Sequence, residues 1–149
     1  MSVTLLRGIL ALVFAFHGVG HTMGVIAALG IDKAGESSHG WLQNWSSQSW
    51  LLSGLLGDTL SRALGVLLYG AALIGVLGAA LSLLGWGIPH EWWRSLAVVS
   101  AIISLVALLL FWNALMMLFP HKVGALAVNI ATLVCLLVLH WPSETDLGF

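Results

Sequence analysis

Four stretches of this chain carry no Asp, Glu, Lys or Arg and are long enough to cross a bilayer: 8–31, 63–89, 95–120 and 123–141. A helix spans hydrocarbon with about 20 apolar residues at 1.5 Å rise each. An open sheet would leave backbone groups unpaired in lipid, and barrel strands would alternate polar and apolar residues at period two. The four runs do not alternate, so they read as helices. Composition agrees: 60% of the 149 residues are hydrophobic and 7% are charged, where a soluble domain carries roughly a quarter charged. Disorder and collagen-like structure are excluded with solubility, since each needs charge or a biased repeat. Five Lys/Arg against six Asp/Glu, thinly spread, form no basic stripe for nucleic acid. The single cysteine, Cys135, excludes an intrachain disulfide, a CxxC pair and a cysteine-rich zinc site.

The spans are expected at about 5–30, 61–86, 95–119 and 122–141, giving one all-α, four-transmembrane-helix, up-down bundle with both termini on one side. Arg7 ahead of an apolar run has the look of a secretory leader, but no small-x-small cleavage pattern follows at the right place, so the first span is expected to be retained. Asp58 and Thr59 are N-cap candidates for the second helix, and Asp58 and Arg62 stand at i,i+4 for an ion pair. Gly85, Gly87 and Pro89 end that helix, Pro120 predicts a tight hairpin between the third and fourth, and Pro142 stops the fourth. Trp41, Trp45, Trp50, Trp86, Trp92, Trp93 and Trp141 fall where membrane interfaces are expected. In the long first loop, 41–57 puts Trp41, Trp45, Leu52, Leu55 and Leu56 on one face, which predicts an interfacial helix. Orientation is not set by charge: Arg7 and Arg94 lie on one side, Lys33, Arg62 and Lys122 on the other.

Small residues recur at spacing four, Gly20, Gly24 and Ala28 in the first helix and Ala71, Gly75 and Ala79 in the second. Such stripes let helix backbones approach closely in lipid, within the bundle or in a homo-oligomer. His17 and His21 share the face of Gly20, Gly24 and Ala28, one turn apart near the middle of the first span. Aligning the antiparallel helices by their midpoints displaces Tyr69, Asn113 and Asn129 by roughly 5 to 9 Å towards the long-loop side, with His21. His17, His21, Tyr69, Asn113 and Asn129 are therefore expected to form one neutral polar layer, with Asn113 and Asn129 close enough across the hairpin to bond each other. Polar side chains in hydrocarbon are expensive unless paired. They either glue helices together, at about 0.6 to 2 kcal/mol per contact, or hold a ligand.

Two histidines at i,i+4 can bind one metal in cis. No Asp, Glu or Cys lies at the same depth, which leaves Met23, Met116 or Met117 as soft ligands for Cu(I). His17 and His21 cannot be the trans ligands of one haem, and no other helix offers a deep histidine, so bis-His haem is disfavoured. A pigment ligated by one His against small residues stays open. A quinone or similar lipophile needs less: His, Tyr and Asn in an apolar pocket can hydrogen-bond its carbonyls, with His39, Asp58 and Arg62 at the mouth. His90 and His121 are expected in solvated turns. No Ser/His/Asp set, GxSxG or carboxylate pair supports hydrolytic catalysis, and no charge inside a span marks an ion pathway.

The first span resembles the DoxX-like family of small four-helix membrane proteins, which open on Leu-Leu-Arg, then an apolar run, then a His-Gly-x-x-Lys-like motif. Here these are Leu5-Leu6-Arg7, residues 8–16, and His17-Gly18-Val19-Gly20-His21, with His21 in place of the lysine. The resemblance covers about twenty residues, and the length and four-span layout are similar. It implies an accessory membrane subunit of a prokaryotic inner membrane, associated with redox chemistry such as thiosulfate:quinone oxidoreduction. Beside it stand two other readings: a metal-, haem- or pigment-binding redox protein using His17 and His21, and a purely structural subunit of a larger complex.

Overall fold

A computed structural model describes residues 2–29, 48–114 and 122–149. The described residues contain helices and turns and no strand. Helix α1 runs Val3–Leu29, α2 is the short Leu52–Leu56, α3 runs Asp58–Leu84, α4 Trp93–Leu110 and α5 Val123–Leu133. A 3-10 turn at His90–Trp92 leads into α4, another at Trp112–Ala114 follows it, and α5 continues as a π-helical turn, Val134–Val138. Three of these are long and apolar enough to cross a membrane: Val3–Leu29, Asp58–Leu84 and His90–Leu110. The apolar helix Val123–Val138 is shorter. Phe16 and Ile74, near the middles of α1 and α3, are 74% and 73% exposed. Apolar groups turned outward at mid-helix suit lipid and not water, so the three long helices are compatible with membrane integration.

The helices pack in chain order. Gly24 lies beneath the Tyr69 ring, Gly18 against Val76 and Leu77, and Gly65 against Ala28, which fixes α1 and α3 antiparallel. Gly75 meets Ser100 and Gly78 meets Leu96, which does the same for α3 and α4. Asn129 against Ser104 and Arg94 against Leu136 align α5 with α4. The inner face of α4 is nearly all small: Ala97, Ser100, Ala101, Ser104 and Ala107 are buried. Small side chains bring backbones close where no hydrophobic drive exists between apolar helices. The interior stripe of α1 is Phe14, Gly18, His21, Gly24 and Ala28. Gly20 is exposed with open space around it and Ala71 is exposed, so one member of each expected small-residue stripe faces outward, while Gly24, Ala28 and Ala79 are buried.

Several boundaries differ from the sequence reading. The expected third span reaches 119, yet regular α-helix stops at Leu110, where Phe111 leaves helical geometry (φ −116°, ψ 27°). Residues 115–121, with the hairpin at Pro120, Met116, Met117 and His121, lie outside the described residues. So do Lys33, His39, Trp41 and Trp45; of the expected interfacial segment, the described part holds only α2, closed by Gly57 at φ 77°. Asp58 begins α3 rather than capping it, and accepts from Gln48 Nε2 at 3.2 Å instead of pairing with Arg62. Arg62 turns to the carbonyls of Ala28 and Leu29 at the end of α1. Exposed carbonyls at a helix C-terminus are a strong attraction for a guanidinium.

The same device recurs with the other arginines. Arg94 donates to Leu136 O (3.0 Å) and Pro142 O (2.6 Å) at the end of the fourth helix. Arg7 donates to Leu147 O (2.5 Å) and Gly148 O (3.0 Å). The C-terminal segment thus folds back over the bundle end: Leu147 is fully buried among Leu6, Leu83 and Trp93, and Phe149 stacks on His90 at 4.4 Å beneath the Arg7 guanidinium. Its turn is closed by Asp146, whose carboxylate accepts from Ser143 N and Oγ at 2.9 and 2.8 Å; these bonds hold the carboxyl below the usual carboxylate range.

Candidate functional site

Of the five residues expected in one polar layer, the structure gathers three, sets one beside them and sends one elsewhere. His17 Nε2 is 3.0 Å from Asn129 Oδ1, and Asn129 Nδ2 donates to Ser104 Oγ at 2.7 Å. With the amide nitrogen given to Ser104, the Asn129 oxygen is the acceptor and His17 Nε2–H the donor. The His17 and His21 rings meet edge to face, centroids 4.7 Å apart at 74°, as expected one turn apart on a helix. Tyr69 lies beside His21 with centroids 6.4 Å apart, and its hydroxyl donates to Ala107 O at 3.3 Å, not to the histidines.

Asn113 is not in the layer. It sits in the 3-10 turn after α4, where its Oδ1 accepts from Trp50 N (2.9 Å) and its Nδ2 donates to Gln48 O (3.0 Å). Both ends of each asparagine amide are engaged elsewhere, so the expected Asn113–Asn129 bond is replaced. The physical reason is the early end of α4, which moves Asn113 from a helix face to the loop. Ser104 and Ser100 were missed. They stand at i,i+4 in the third run, the signal of a shared face, and their burial puts that face inward.

Two buried side-chain polar atoms among the described residues have no hydrogen-bond partner: His21 Nε2 and Trp93 Nε1. The residues that carry them each border a recess. A small chamber of about 10 Å³ is bounded by Phe14, His17, His21, Ser100, Asn129 and Thr132, room for about one water. A wider cleft of about 180 Å³ lies between α1 and α5 with its π-helical continuation, with Trp93 in its wall. Phe14 and Thr132 line both. Trp93, expected at an interface, is wholly buried, while Trp50, Trp86 and Trp92 are exposed.

For a metal the donor set is thin. Among the described residues no group of three or more His, Cys, Asp or Glu converges, and His17 Nε2 is already bonded to Asn129. Cys135 lines the apolar cleft rather than the histidine chamber. Comparison with protein-family models, with curated proteins and with solved structures finds no match to this chain.

Proposed function

We propose that the chain is a small, non-catalytic accessory protein of a prokaryotic inner membrane, a four-helix DoxX-like bundle with an interfacial segment before α3. In this reading it holds a quinone or similar lipophile beside His17, His21 and Asn129. The observation that carries it is His21 Nε2: a buried imidazole nitrogen with no partner, in the wall of a small chamber that also has His17, Ser100 and Asn129 in its lining and shares Phe14 and Thr132 with an apolar cleft. Buried polar atoms without partners are rare and mark places where a ligand or water completes the bonding.

The test is to extract the protein with its surrounding lipid in polymer discs and identify co-purifying lipophiles by mass spectrometry. Wild type retains one species in near-stoichiometric amount, and the His17→Ala/His21→Ala variant folds but loses it. Wild type with neither a bound lipophile nor a partner protein overturns the reading. A second reading, a purely structural subunit, is favoured by the His17–Asn129–Ser104 chain, which engages both the oxygen and the nitrogen of the Asn129 amide. It predicts a co-purifying protein or a homo-oligomer and no lipophile. The metal, haem or pigment alternative predicts colour or stoichiometric metal in the same sample, and its two-nitrogen donor set is the weaker support.

A further inference from the structure

The end of the bundle that carries Arg7 and His90 is built as a slot, and residues 143–149 fill it. Leu147 is fully buried in one cluster with Leu6, Leu83 and Trp93. Arg7 donates to two successive carbonyls, Leu147 O at 2.5 Å and Gly148 O at 3.0 Å. The Phe149 ring has the Arg7 guanidinium 3.9 Å from its centroid and stacks on His90 at 4.4 Å. Gly148 takes φ 67°, and a Cβ there would meet Val3 Cγ1 at 3.0 Å. A left-handed backbone with no room for a side chain is a glycine position. A leucine pocket, a fork for two carbonyls, a glycine position and an aromatic stack together specify a peptide of the pattern Leu-Gly-aromatic.

The segment that fills the slot is also self-contained. The backbone N–H groups of Leu147, Gly148 and Phe149 donate to carbonyls of Ser143, Glu144 and Thr145, and the Asp146 carboxylate accepts from Ser143. Among the described residues, Arg7 alone hydrogen-bonds 143–149 to the rest of the chain. The segment can therefore leave as one folded turn without orphaning its own amide donors. We propose that residues 143–149 are an exchangeable plug, the autoinhibitory occupant of a peptide-recognition slot, and that the slot takes in trans a peptide of the same Leu-Gly-aromatic pattern. The slot reads backbone carbonyls and two apolar side chains, and it is independent of any ligand at the histidines.

The experiment titrates a fluorescent, carboxamide-capped peptide of sequence 143–149 onto the full chain in lipid nanodiscs, followed by anisotropy, with folding checked by circular dichroism. A short tether supplies an effective concentration of about 1 mM, so a plug that is docked in cis has a trans Kd below that value. Leu147→Glu expels the resident plug and binds the peptide. The wild type binds it about tenfold more weakly, because its own plug competes. Adding Arg7→Met to Leu147→Glu abolishes binding, and a peptide carrying Gly148→Ala does not bind. A folded Leu147→Glu chain that takes up no peptide at about 1 mM overturns the proposal. Wild type and Leu147→Glu binding alike, or the alanine peptide binding as well as the glycine one, overturns it too. Where Leu147→Glu does not fold, the wild type decides. A peptide with a diazirine on its phenylalanine marks Arg7 or His90, and labelling that is absent or elsewhere overturns the slot.

Discussion

Asn129 is the most committed side chain in the interior, fully buried on α5 and bonded at both ends of its amide to two other helices. Replacing it with leucine takes the bonded partner from the half-buried His17 and the buried Ser104. We expect Asn129→Leu to cost about 1–3 kcal/mol, read by denaturant or steric-trap unfolding. A double-mutant cycle with His17→Phe yields a coupling of about 0.6–2 kcal/mol; additivity would mean that the 3.0 Å contact contributes nothing. A second residue-scale expectation contrasts two glycines four positions apart. A Cβ on Gly24 meets the Tyr69 ring at 2.5 Å, while one on Gly20 meets nothing within 4 Å. Gly24→Ala therefore lowers stability by about 1–3 kcal/mol through overpacking, and Gly20→Ala is neutral or slightly stabilising. Thermal unfolding of the two side by side checks this. The contrast also shows what was legible at this scale. Spacing four advances 400° around a 3.6-residue helix and so drifts by about 40° per step; a straight seam alternates threes and fours, which is why Gly18 is inside and Gly20 is not. The histidine pair and Asn129 were found because polarity inside an apolar run is conspicuous, and Ser104 was missed because serine among alanines is not.

Among the elements, the helix C-termini tell most about the arginines. Arg62 serves the end of α1, and Arg94 bridges Leu136 O to Pro142 O across the π-helical turn. We expect Arg94→Ala to destabilise the C-terminal end of α5 and its π-helical turn selectively, and Arg94→Lys to restore little, because an ammonium cannot fork to two carbonyls as a guanidinium does. Hydrogen exchange checks it: amides of 134–141 lose protection before those of α3. If exchange rises uniformly along the chain, the clamp is not local. Helix positions were readable from the charge-free runs, since lipid tolerates little else. The end of α4 was not. Residues 111–120 carry no charge and stay largely apolar, and the turn at Phe111 is set by tertiary bonds from Asn113 to residues 48–50.

For the whole molecule, the question is whether Val123–Val138 crosses the membrane as the three longer helices can. Eleven α-helical residues and five π-helical ones reach about 24 Å at 1.5 Å each, short of a core of about 30 Å. We expect it to span nevertheless, because it packs antiparallel to α4 along its length and local thinning is inexpensive. Single cysteines at Ser2, Gly54 and Thr145, in a Cys135→Ala background, test this with a membrane-impermeant thiol reagent. Ser2 and Thr145 label from one side and Gly54 from the other; Thr145 labelling with Gly54 would leave three spans.

The Arg7 clamp carries one more implication, for how the chain is made. Its acceptors, Leu147 and Gly148, lie 140 and 141 residues downstream. On a ribosome adding about 5–20 residues per second, Arg7 waits seconds before its partners exist. The contact can form only after all the described helices have been synthesised. Closing the terminal end of the bundle is therefore a late event in biogenesis, and a chain truncated before residue 147 is left with that end open and Leu6, Leu83 and Trp93 uncovered.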